Sequence, residues 1–138
     1  MTQNRKLFLG INAVYHESAA ALVENGRVVA AVEEERLSRV KHAKKATIEG
    51  ALTMPVRAIE WCLQKAGVDF DDLAAVGYSF SPKLRYEKNK SLHCGAELPS
   101  GTWGTPEGER RFFELNRLVS RILERWFKAD LTGRFFFI

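Results

Sequence analysis

Leu7–Val23, LFLGINAVYHESAAALV, constrains the fold more than any other stretch of the chain. Two apolar runs flank a short polar interruption, Tyr15-His16-Glu17-Ser18. Apolar runs of this length, bounded by turn signals, read as buried strands. The spacing predicts a first strand over Lys6–Val14 and a second over Ala19–Glu24, with a His, a Glu and a Ser in the loop between them. Asn12 comes just before that loop. Glu24-Asn25-Gly26-Arg27 closes a further hairpin, because Asn-Gly tolerates the positive φ of a two-residue turn. A third strand follows over Arg27–Val32. It is apolar on consecutive residues, so both of its faces are expected to be covered.

The third strand runs into Glu33-Glu34-Glu35-Arg36-Leu37-Ser38-Arg39-Val40-Lys41-His42. Acids lead and bases follow, which suits the dipole of a short helix. Residues 43–53 read as an irregular connection. Pro55 opens a helix whose buried face is Val56, Ile59, Cys62, Leu63 and Ala66, and Gly67 stops it. Ala74–Phe80 is a fourth strand. Ser81–Thr105 reads as a long loop, basic at first and then rich in Gly, Pro and Ser. A long helix starts at Thr105-Pro106-Glu107, with Phe112, Leu115, Val119, Ile122 and Trp126 on one face. Arg134–Ile138 begins a fifth strand.

The order βββ-α-β-α-β is that of a ribonuclease H-like half-domain, the building block of the actin/Hsp70/sugar-kinase ATPase superfold. This is an α/β class assignment and carries no function by itself. That unit normally adds a helix after its fifth strand. Here Phe135-Phe136-Phe137-Ile138 is expected to be left uncovered, so the chain reads as the truncated front piece of a longer protein. A homodimer through the exposed edge is the corresponding expectation for the isolated piece.

With 138 residues the chain is one domain, and a net charge of +4 is weak support for a polyanionic partner, so no nucleic-acid role is expected. Cys62 and Cys94 are far apart and form no CxxC pair. No structural metal or disulfide framework is expected, and a cytoplasmic setting fits. No apolar stretch approaches a membrane span, and no membrane partner is expected.

GINAVYHESAAAL followed by VVAAVEEERLSRVKH resembles the N-terminus of the NodU/CmcH-type O-carbamoyltransferase family, and MPVRAIEWCLQKAG and DFDDLAAVGYSFSP continue the resemblance. The resemblance implies a larger protein, with an actin-like domain first and a carbamoyl-adenylate-forming domain after it. It implies ATP and carbamoyl phosphate as co-substrates and a hydroxyl of a sugar or antibiotic precursor as acceptor. It also implies a divalent metal, iron or similar, at an HHxxH motif past the fifth strand, so only in the full-length protein. The small-molecule substrates and the rest of the same polypeptide are the implied partners. Glu17, Leu37 and Ala43 stand where the family often has Asp, Phe and Asp.

His16 and Lys41 are the leading catalytic candidates. His16 is either a turn histidine or a site group that orients or deprotonates the acceptor hydroxyl. Lys41 and His42 match the family motif. With Arg36 and Arg39 they form either a solvated charged face or a cationic rim for phosphate, carbamoyl or adenylate. Asn12 and Ser18 complete the candidate binding set. Asn12, a poor metal ligand, stands where nucleases and many kinases of this fold carry Asp, which counts against two-metal chemistry. Another kinase or ATPase of the superfold and a non-catalytic interaction module are the rival readings. Lys83, Arg85, Lys88, Lys90 and His93, interleaved with Tyr86, read as a solvated basic loop. His16 and Lys41 are expected to approach each other, since strands one and three of a meander end at the same end of the sheet.

Overall fold

The computed structural model describes residues 4–14, 17–45, 47–90 and 98–138. Five strands form one mixed sheet: β1 (Leu7–Asn12), β2 (Ala19–Glu24), β3 (Arg27–Glu33), β4 (Ala75–Tyr78) and β5 (Phe135–Phe137). Their order is β3-β2-β1-β4-β5. The first three strands pair antiparallel, and β4 and β5 add in parallel on the far side of β1. The expected meander and the expected side of addition are both present. The Asn25-Gly26 turn supplies the two positive φ values, 49° and 83°, that its hairpin needs.

The helices are α1 (Glu34–Ser38), α2 (Val56–Ala66), α3 (Pro82–Asn89), α4 (Pro106–Asn116) and α5 (Val119–Phe127). Alternation along β1 sets the layers: Leu7, Leu9 and Ile11 are buried while Phe8, Gly10 and Asn12 are exposed. The buried side joins Ala20, Leu22, Val76 and Tyr78 with Ala58, Ile59 and Cys62 of α2 and with Phe112, Val119 and Leu123 of α4 and α5 in one core. Gly67, at φ 63°, ends α2 as expected. α1 and α2 are joined by a cap distant in sequence: the buried Glu34 carboxylate accepts the Ala58 N–H at 2.7 Å. That satisfies one of the orphan donors of the α2 N-terminus. Burial chiefly pushes the Glu34 carboxyl up from its ordinary value.

Three expectations are corrected. β3 is not covered on both faces: it is a sheet edge, with Val28 and Val29 exposed. Its continuous apolar run reflects β-branched propensity at an edge rather than burial. The stretch expected to be a long loop contains α3. Ser81 accepts the Leu84 N–H at 3.3 Å and Pro82 fills the first turn, a start signal for a helix. Arg85 then forks onto the buried Glu109 at 2.8 and 3.0 Å, and Tyr86 stacks on Phe113, so α3 is held against α4. Finally, the expected single long helix is two. The Leu118 N–H bonds back three residues to the Leu115 carbonyl, at 3.0 Å, which tightens the chain between α4 and α5.

Candidate functional site

β1, β3 and β4 all run in the same direction, so the segments that follow them emerge at one end of the sheet. The connection from β1 turns toward β2, whereas the parallel strand β4 lies on the opposite side of β1. In open α/β sheets, the crevice at such a point, at the carboxyl ends of the strands, is where ligands bind.

Asn12 ends β1 at that point. Its Nδ2 donates to the Glu17 carbonyl at 2.8 Å, and its Oδ1 accepts the Ser79 hydroxyl at 2.9 Å from the end of β4. Glu17 Oε1 in turn lies 3.0 Å from His42 Nδ1. The His42 backbone N–H donates to Glu35 Oε2 of α1 at 2.9 Å. Ser79, Asn12, Glu17, His42 and Glu35 therefore form one polar chain that ties together the ends of β4 and β1, the β1–β2 loop, and the strap after α1.

The strap has an uncommon backbone. Arg39, His42 and Ala43 sit at φ 60°, 60° and 61°. Left-handed conformations at non-glycine residues are rare, and when held in place by surrounding structure they cluster at functional sites. Here Glu35 and Glu17 hold His42 at both its backbone and its ring. Beside it, Lys44 buries its Nζ with no hydrogen-bond partner among the described residues. Burial alone lowers its pKa to about 8.

The site residues expected from sequence divide as follows. His16 lies outside the described residues, so its expected approach to Lys41 does too. The two segments that carry them do meet, through Glu17 and His42. Lys41 is exposed beside His42. Asn12 is a bridge between strand ends. Ser18 is buried at 2% exposure; its carbonyl accepts the Glu34 N–H at 2.8 Å. Arg36 pairs with Glu33 at 3.2 Å. Arg39 is exposed and closes α1 in the left-handed conformation. Glu33, Glu34 and Glu35, the acids that lead this run, have three different jobs: Glu33 meets Arg36, Glu34 caps α2 and Glu35 holds the His42 backbone. Sequence reasoning missed Glu17, Glu35 and Ser79 as members of the site. The signal for Glu17 is its place in the loop between the first two strands, where it keeps a carboxylate at a position that is often Asp in the family.

A concavity of about 670 Å³ lies on the exposed face of the sheet. Gly10, Ala21, Ala31 and Gly77 contribute to its lining, and Asn12 and Ser79 bring it to the polar chain. Among the described residues there is no group of three or more His, Cys, Asp or Glu side chains that could hold a metal ion. The basic stretch expected as a solvated loop is instead helical from Lys83 to Lys88, while His93 lies outside the described residues.

Residues 7–89 match the family model described as Carbamoyltransferase N-terminus, which is more than half of the chain. The chain belongs to that carbamoyltransferase family. Every member of the polar chain, from Asn12 to Ser79, falls inside the matched residues, whereas α4, α5 and β5 fall outside them. Among similar proteins, nodulation protein NolNO of Sinorhizobium fredii (strain NBRC 101917 / NGR234) is 45% identical over 67 residues, 49% of this chain and 9% of NolNO. An uncharacterised 19.2 kDa protein of Rhizobium etli is 43% identical over 67 residues, 49% of this chain and 34% of that protein. The uncharacterised protein sll1178 of Synechocystis sp. (strain ATCC 27184 / PCC 6803 / Kazusa) is 39% identical over 80 residues, 58% of this chain and 12% of its own length. The matched stretch thus spans only a minor part of each of these relatives.

Proposed function

We propose that this carbamoyltransferase segment is the N-terminal, actin-like part of an O-carbamoyltransferase, and that it forms one wall of the transfer site. The reaction moves a carbamoyl group from carbamoyl phosphate, through an ATP-derived carbamoyl-adenylate, to a hydroxyl of a sugar or secondary-metabolite precursor. One observation supports this above the others. The 3.0 Å contact of Glu17 with His42 joins the loop of the first family motif to the KH pair of the second. Residues 25 positions apart in sequence are thereby kept at one carboxyl end of the sheet.

Lys41 then bonds the carbonyl oxygen of the carbamoyl group, where negative charge grows as the tetrahedral centre forms. His16 holds or accepts the proton of the attacking hydroxyl. His42, oriented by Glu17, sets the strap on which Lys41 is carried. Arg36 and Arg39 form the cationic rim toward phosphate. The metal site of the family belongs to the rest of a longer polypeptide, and no step here runs through it. The exposed face of the sheet is where that remainder packs. A cytoplasmic enzyme fits a sequence whose two cysteines form no CxxC pair. Among the described residues no helix is long and apolar enough to cross a membrane.

The test uses the full-length enzyme, with His16→Asn and Lys41→Met made separately. Carbamoyl transfer to the acceptor is measured beside AMP formation from ATP and carbamoyl phosphate. Transfer is expected to fall on the order of a hundredfold or more while adenylate formation survives. Near-normal transfer in both variants would remove these residues from the site. Phosphate release from ATP without carbamoyl phosphate would favour a kinase or ATPase instead.

A further inference from the structure

Lys44 has no role in the site described so far. Its Nζ is buried and finds no acceptor among the described residues. A buried ammonium normally has a carboxylate or another anion beside it, since leaving water without one is expensive. The sequence around it offers none: from Arg36 to Ile48 there is no Asp or Glu, while Arg36, Arg39, Lys41, Lys44 and Lys45 are all basic. The counter-charge must therefore come from outside the strap.

The backbone that carries Lys44 is the second observation. His42 and Ala43, immediately before it, both have φ near 60°. The conformation is pinned by Glu35 at the His42 N–H, by Glu17 at the His42 ring, and by the Ala43 N–H to Val40 carbonyl bond at 2.8 Å. An amine with no partner among the described residues and a run of left-handed residues coincide within three positions. Left-handed non-glycine residues held in this way by their surroundings cluster at active sites, ligand clamps and switch regions.

We propose that Lys44 is an oxyanion-binding lysine whose counter-ion is a phosphate-type ligand. When His42 and Ala43 leave the left-handed region, the strap uncovers Nζ, and the phosphate takes the place of the atoms that covered it. A lysine suits this role as a point charge with three donors. The cations that precede it on the strap supply the approach. The claim concerns phosphate binding and stands whether or not the chain takes part in carbamoyl transfer.

The test is made on the intact protein with its lysine Cε atoms labelled with ¹³C. Inorganic phosphate is titrated at constant pH and ionic strength, with acetate as the parallel arm. The Lys44 resonance is expected to shift saturably with phosphate, and its titration midpoint to rise toward that of an ordinary lysine. Acetate should shift it much less. Lys44→Met should weaken phosphate binding, read by calorimetry, by roughly ten- to a hundredfold, while Lys45→Met leaves it unchanged. The wild-type titration needs no variant to fold. A Lys44 resonance unmoved by phosphate would overturn the proposal. So would an equal response to acetate, which would assign the counter-charge to a carboxylate instead.

Discussion

The two faces of the sheet are built from opposite materials. On the covered face, Leu7, Leu9, Ile11, Leu22, Val76 and Tyr78 meet the helices, and each is at most 2% exposed. On the other face the same strands present Gly10, Ala19, Ala21, Ala31, Ala75 and Gly77, with Phe8 and Phe136 standing out from them. Large side chains fill the space between layers. Small ones leave a flat floor on which another element can come close. The polar chain lies at the end of the sheet that borders this floor, so the site and the open face are one region of the molecule. The covered face gives the domain its stability, and the open face leaves room for function.

Neighbouring positions on one strand test that division most severely. Leu9→Ala should cost about 2–5 kcal/mol, because a buried leucine leaves a cavity. Phe8→Ala, one residue earlier and 43% exposed, should cost less than about 1 kcal/mol. Urea denaturation of both variants measures the difference, and equal costs would break the comparison. Overpacking gives a second, smaller contrast. Ala20, 3% exposed and facing the helices, should lose about 1–3 kcal/mol on substitution by Leu. Ala21→Leu, on the open face, should fall within about 0.5 kcal/mol of wild type in the same assay.

Self-association gives the third and smallest effect. The open face and the free edges at β3 and β5 should bring copies of the chain together weakly at micromolar concentration. Ala31→Lys should weaken that association about tenfold in sedimentation equilibrium. A wild-type monomer across the micromolar range would show that the open face does not drive association.

Much of the fold was legible because it rests on short-range signals. Asn25-Gly26 fixed the hairpin, and β2 falls on the residues that its apolar run marks. The α2 pattern closes at Gly67 as its spacing requires. What escaped depends on partners distant in sequence. α3 has a readable start at Ser81-Pro82, but its basic composition hid it, and it is held by partners distant in sequence, Glu109 for Arg85 and Phe113 for Tyr86. Edge and centre cannot be told apart for a valine-rich strand such as β3 by its own residues. At the site, the two family motifs did converge as strand direction requires. The contact between them is made by Glu17 and His42, because the left-handed backbone at His42 decides where that ring can reach. No sequence pattern marks a buried amine that, like that of Lys44, has no partner among the described residues.

The central claim is that the two motifs act as one unit through Glu17 and His42. A double-mutant cycle measures it most directly: Glu17→Gln, His42→Asn and the pair together in the full-length enzyme, read as the rate of carbamoyl transfer. The account predicts that the double variant is no slower than the slower single variant, a coupling of about 1–3 kcal/mol. Losses that multiply in the double variant would contradict it, since the two residues would then act independently.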